Sequence, residues 1–179
     1  MIDILPILLE TKLEIQNLLK QNNIAFKKLT WKTKKSFYHE AKSIETNDSV
    51  RWNIVNNSDD CSYDLGQVNF VLSIKGNNDF YEIAEFTLES LSGCSHIVVS
   101  SNFHIESDLR NLGIGTILHK LKINLCCAIK ASSMLCTVRD DNAFELKILE
   151  KFGWQFIGSS ENKDDANGIN KVLIYQRIL

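Results

Sequence analysis

The spacing of apolar residues changes character along the chain. Ile7, Leu8, Leu13, Ile15, Leu18 and Leu19 precede Asn22-Asn23 and predict a helix over 7–21. Pro6 falls near its first turn, where a missing N–H costs no helical bond. Residues 24–31 ("IAFKKLTW") follow neither period. Thr33 is a candidate N-cap for a second, short helix to about Lys42. The stretch 56–66 ("NNSDDCSYDLG") is rich in turn formers and predicts a loop. Residues 1–45 thus read as a helical N-terminal region.

Three β-rich runs follow, 67–74, 80–88 and 95–105, separated by the short polar turns "KGNND" and "ESLSG". This spacing predicts an antiparallel meander. In the third run, strict alternation puts Ile97, Val99, Ser101, Phe103 and Ile105 on one face. His96, Val98, Ser100, Asn102 and His104 then share the other.

The period next becomes helical. Ile114, Ile117, Leu118, Leu121, Leu125, Ala128 and Ile129 form one stripe, with Thr116, His119, Lys120, Lys122 and Asn124 mostly opposite it. Lys120 and Lys122 therefore read as a solvated face. A strand is expected at 133–138. Asn142 then starts a helix, with Glu145 placed as in a capping box and Gly153 placed as a C′ glycine. Phe144, Ile148, Leu149 and Phe152 are its apolar positions, and Phe152 and Trp154 read as core. Strands at 154–158 and 169–176 flank a polar loop, "SSENKDDANG". The fold class is α/β in the α+β sense: one domain over 1–179, its sheet and core in 67–179.

Composition narrows this picture only a little. The 179 residues, 44% hydrophobic and 23% charged, suit one globular domain. A net charge of −2 disfavours general nucleic-acid binding. The N-terminus lacks a basic n-region and an unbroken apolar run, so neither a signal peptide nor a membrane span is expected. Five cysteines form no CxxC, which points to a reducing, cytoplasmic compartment. The four histidines show no metal-ligand spacing, and no metal is expected.

The stretch "DLRNLGIG" (108–115) carries the chemistry. Gly113 and Gly115 stand where a strand-to-helix loop meets a helix N-terminus, whose first N–H groups lack internal partners and sit at the positive end of the helix dipole. Such a start can bind a phosphate. The same glycines could instead serve close helix–sheet packing. Arg110 would order the loop or add a charged contact. No Gly-Lys-Ser/Thr follows, so this is not a P-loop, and the third glycine of a dinucleotide fingerprint is absent.

Arg110-x-x-Gly113-x-Gly115, a long helix, a strand, then Asn142, Ile148-Leu149 and Lys151-Phe152-Gly153-Trp154 resembles the GCN5-related N-acetyltransferase (GNAT) family. The resemblance is firm over about 95–158. It implies a mixed, mostly antiparallel central sheet flanked by helices. It implies acetyl-CoA or another acyl-CoA as co-substrate and direct attack by a primary amine of a small molecule or a peptide. The pyrophosphate would lie on Arg110, Asn111, Leu112, Gly113, Ile114, Gly115 and Thr116. The pantetheine arm would run along Phe103, His104 and Ile105, and Asn142 would contact the cofactor or cap its helix. Glu85 and His104 are the candidate bases. The family's usual tyrosine acid falls at Leu149, which cannot donate. That leaves unassisted thiolate departure, a water, or Tyr175 or Tyr81. The alternative function is a non-catalytic acyl-CoA-binding sensor or scaffold of the same fold, or that fold with its cleft filled. A homodimer is compatible with this reading.

Overall fold

The computed structural model describes residues 2–36, 46–47, 51–52, 67–75, 80–164 and 168–179. The expected loop at 56–66 and the end of the expected second helix, 37–42, lie outside them. A short pair, β1 (Ile2–Asp3) with β4 (Arg51–Trp52), stands apart from the main sheet. That sheet contains β2 (Lys28–Ser36), β3 (Thr46–Asn47), β5 (Gln67–Lys75), β6 (Phe80–Leu91), β7 (Cys94–Ile105), β8 (Ser133–Arg139), β9 (Gln155–Asp164) and β10 (Gly168–Ile178). Its spatial order is β3-β2-β5-β6-β7-β8-β10-β9. Neighbours are antiparallel except β7 and β8, which run parallel. The helices are α1 (Leu5–Gln21), α2 (Ile114–Ala128) and α3 (Ala143–Lys151). None of the described helices is long and apolar enough to cross a membrane.

Two expectations fail here, both because strand pairing outweighs a local polar signal. Thr33 starts no helix; it lies within β2, opposite Phe70 of β5. The polar stretch after Gly158 is not a loop along its length, since β9 continues to Asp164 and pairs with β10. β9 is an edge strand, where polar and charged residues are tolerated and discourage further pairing.

The face covered by helices is fixed by register. Phe70 lies opposite Phe86, Val68 opposite Leu88, and Leu88 opposite Ser100. These residues meet Leu8, Ile15 and Leu19 of α1 and Leu118, Leu121 and Leu125 of α2 in one continuous core. Residues seven and four apart on α1 and three and four apart on α2 supply that stripe, as 3.6-residue periodicity requires.

The alternation expected along β7 does not survive to its end. Thr87 pairs with Ser101, but Glu85 pairs with His104, so β7 holds one extra residue there. Asn102 takes φ 52° within this bulge. Asparagine tolerates the left-handed region better than most side chains, and one inserted residue exchanges the two faces beyond it. Ile105, opposite Ala84, therefore joins the Val98 and Ser100 face, and Phe103 goes with it into the core under α2. His104 moves to the other face, beside Glu85.

Candidate functional site

The parallel pairing of β7 with β8 is short. It joins Ile97–Ser100 to Ser133–Cys136 and then stops. Beyond Ser100 the two strands part, and α2 begins in the gap after a 3-10 turn at Ser107–Leu109. A cavity of 560 Å³ opens there. Its walls are the strand segment Phe103 to Ile105, the loop from Leu109 to Gly113, the first turn of α2, and one side of α3.

The loop is held by its own residues. Arg110 turns its side chain back, and Nε donates to the carbonyl of Ile105 at 2.8 Å. This charge-assisted bond closes the loop against the strand it left. Asn111 has φ 63° and Gly113 has φ 96°, so the chain passes twice through the left-handed region before the helix. At Gly113 a side chain would be strained by conformation. Gly115 serves differently: a Cβ there would lie 3.2 Å from Ile148 and 3.3 Å from Ile105. It lets α2 approach α3 and β7 closely. The first intrahelical bond reaches from Ile117 N–H to the Gly113 carbonyl at 3.2 Å. The N–H groups of Ile114, Gly115 and Thr116 consequently have no acceptor within the helix.

The opposite wall starts at Asn142, whose Oδ1 accepts from the Glu145 N–H at 3.2 Å and caps α3. The capping box forms only in this half. The Glu145 carboxylate turns inward, with Oε1 3.7 Å from Nδ1 of His119. Phe144, one of the helix's apolar positions, is exposed at the rim. Ile148 borders the cavity, whereas Leu149 is fully buried and faces away from it.

The cavity lining includes Phe103, His104, Ile105, Arg110, Asn111, Gly113, Gly115, Thr116 and Asn142. Leu112 packs against the core and Ile114 is buried, so their side chains do not reach it. Glu85 lies directly across from His104 on β6, outside the lining itself. The imidazole of His104 is half exposed, with Nε2 3.7 Å from Oε1 of Glu106. Neither Tyr81 nor Tyr175 lines the cavity; Tyr175 packs edge-on against Phe156.

The site also contains residues that the pattern reading missed. Glu145, Lys147, Ile148 and Lys151 recur at helical spacing along one side of α3, a signal that marked the face but not its exposure to a cavity. The larger correction concerns α2. Lys122 is not on a solvated face; it is 1% exposed, with its Nζ 4.1 Å from the centroid of the Phe103 ring. His119 is fully buried among the rings of Phe103, Phe152 and Trp154. Burial, helped by the charges of Lys122 and Arg177, drives its pKa down to about 2, so the imidazole is neutral. Neither ring nitrogen has a hydrogen-bond partner among the described residues. Only Lys120, its Nζ 2.9 Å from Glu14 of α1, behaves as a surface lysine. Cys136 of β8 and Cys126 are buried thiols whose pKa burial pushes up, to about 12 for Cys136.

No family model and no curated protein matches the chain by sequence. Solved structures do. An IAA acetyltransferase from Bacillus cereus matches with TM-score 0.51 at 13% identity, over 63% of this chain and 78% of that one. A GCN5-related N-acetyltransferase from Kribbella flavida matches with TM-score 0.53 at 15% identity, over 63% and 68%. A ribosomal-protein-alanine N-acetyltransferase from Brucella melitensis matches with TM-score 0.51 at 20% identity, over 62% and 69%. With the parted β7 and β8, the glycine-started α2 and the Asn142-capped α3 already in place, these likenesses identify the architecture: the chain has the fold of the GCN5-related N-acetyltransferases.

Proposed function

We propose that this protein transfers an acyl group from an acyl-CoA thioester, acetyl-CoA in the simplest case, to a primary amine. The observation that carries the reading is the gap between β7 and β8, closed at one end by the free N–H groups of residues 114–116. Those groups suit a pyrophosphate, because they combine unpaired donors with the positive end of a helix. Gly113 supplies the left-handed turn and Gly115 the close packing that set these groups at the cavity, and Arg110 keeps the loop in register from behind.

Strand segment 103–105 then lies along the pantetheine arm. Beyond its last pair with β8, the backbone of β7 has donors free to polarise the thioester carbonyl. The acceptor amine approaches from the face carrying His104 and Glu85. His104 is the better base of the two, since it borders the cavity and Glu106 stands beside its imidazole. As the amine nitrogen bonds to the carbonyl carbon, the imidazole takes its proton and the carbon–sulfur bond breaks. Leu149 is buried and supplies no acid, so sulfur leaves as thiolate without a tyrosine from the described residues.

Thiol release from acetyl-CoA over a panel of amines tests the reading. The native chain should turn over at least one amine. H104A should lower kcat by about 10²- to 10⁴-fold, the usual worth of a positioned base, while CoA affinity stays within a few-fold. Tight CoA binding without turnover on any amine would transfer the reading to a sensor or scaffold. Absence of CoA binding would end both.

A further inference from the structure

A lysine side chain with 1% exposure needs a reason, because an ammonium is costly to bury without a partner. Lys122 has no carboxylate in direct contact among the described residues. Its ammonium lies over the Phe103 ring, a cation–π arrangement, and Phe103 is itself part of the cleft wall. The acid nearest to it on the facing helix is Glu145, whose Oε1 lies 3.7 Å from Nδ1 of His119, one turn before Lys122 on α2, and which borders the same cleft as Phe103. The remaining groups around it carry no useful charge. His119, one turn earlier on α2, is neutral, and the thiols of Cys126 and Cys136 stay protonated. Arg177 of β10 acts on His119 rather than on Glu145. The cations Arg110, Lys147 and Lys151 at the rim are exposed, so water screens them.

Glu145 is thus a half-buried carboxylate in the wall of a cleft built to receive an anion. Left alone, its charge would oppose that anion. We propose that Lys122 is the counter-charge of Glu145, a positioning residue that keeps the α3 wall electrically neutral so that the phosphates of an acyl-CoA can lie against it. The inference rests on the reading of the cleft as an acyl-CoA site. The two charges cancel without touching, ammonium against carboxylate across the wall. Burial raises the carboxyl's pKa and Lys122 lowers it again, so removing Lys122 moves the carboxyl further upward.

The experiment is calorimetric titration of CoA into the full chain at pH 6.5, 7.5 and 8.5. It uses the native protein and the K122M, E145Q, K122R and K122M/E145Q variants. K122M should bind CoA about tenfold more weakly than the native chain at pH 8.5, the order expected of one charge across a protein wall. The deficit should be smaller at pH 6.5 than at pH 8.5, because burial favours the protonated carboxyl. K122M/E145Q should recover native affinity at every pH, and K122R should recover most of it. E145Q alone should bind at least as tightly as native at pH 6.5, an arm that holds even where K122M does not fold. A K122M deficit that persists in the double variant, or shows no pH dependence, overturns the inference and makes Lys122 purely structural. Weakened binding by E145Q overturns it too. Failure of the native chain to bind CoA at any pH instead sinks the cleft reading on which the inference stands.

Discussion

Around β2, β5 and β6 the interior is built mainly from rings and hydrocarbon, with only small neutral polar residues such as Thr30, Ser73 and Thr87 among them. Phe70 and Phe86 face each other across the strands and stack with centroids 4.7 Å apart, and Trp31 meets Phe86 edge-on at 6.4 Å. Between α2, β8 and α3 the interior is just as closed, yet it holds Lys122, His119 and the inward-turned Glu145. The first region needs only to exclude water. The second backs a cleft, and its groups cost stability that the first must supply. Buried polar atoms without partners, such as both nitrogens of His119, are unfavourable by about 1–3 kcal/mol each. The first region has such atoms too, on Thr30, Trp31 and Ser73, but they are neutral hydroxyls and an indole, whereas the cleft side buries ionisable groups, His119, Lys122 and Glu145, and that difference argues for a role tied to the cleft.

The sharpest way to break this division is to weaken the dry half. Phe86→Ala removes a fully buried ring from the centre of the aromatic stack. We expect a loss of about 3–5 kcal/mol in denaturant unfolding, the usual range for such a cavity. Against a total stability of about 5–15 kcal/mol, that brings the domain close to unfolding. A loss below about 1 kcal/mol would show that the stack is not the structural half of the molecule.

The polar half is tested by pH. The folded pKa of His119, about 2, lies far below its ordinary 6.5. Below pH 6.5 the unfolded chain takes up a proton that the folded chain refuses, so stability falls as pH falls, by about 1.4 kcal/mol per unit. Glu145, with its raised pKa, pulls the opposite way above its ordinary value. The informative quantity is therefore the difference between the native chain and H119L. Between pH 7 and pH 5 the native protein should lose about 2 kcal/mol relative to H119L. Parallel stability curves for the two would mean the imidazole is hydrated and not sealed in the core.

These two halves were not equally readable from sequence. Helix α2 was readable because its apolar stripe is long, and the starts of α2 and α3 because Gly113 and Asn142 are chosen by backbone geometry. The bulge at Asn102 was not readable. A run of alternating residues gives no sign that one of them will be left unpaired, and that omission put Phe103, Ile105 and His104 on the wrong faces. Lys122 and His119 were misplaced for a related reason. Periodicity assigns polar residues to water by default, and only contact with Phe103, Phe152 and Trp154 reveals a second, polar interior. The length of β9 was hidden because edge strands accept loop-like composition.

Lys120 provides the smallest effect and the control for Lys122, two residues on. Its Nζ sits 2.9 Å from Glu14 and 3.8 Å from Glu10, joining α2 to α1 across the surface. The hydrogen bond and charge of Glu14, aided by Glu10, raise its pKa, the reverse of what burial does to Lys122. An exposed pair gains little in water and loses more to salt. K120A should therefore leave the midpoint of denaturant unfolding nearly unchanged, with a stability change of less than about 1 kcal/mol that shrinks further in 0.5 M salt, a roughly fivefold rise over ordinary buffer. CoA affinity of K120A should match the native chain at every pH, since this lysine faces α1 and not the cleft. If K120A and K122M instead moved affinity together, the effect would belong to the net charge of α2, and the division between a solvated lysine and a buried counter-charge would fail.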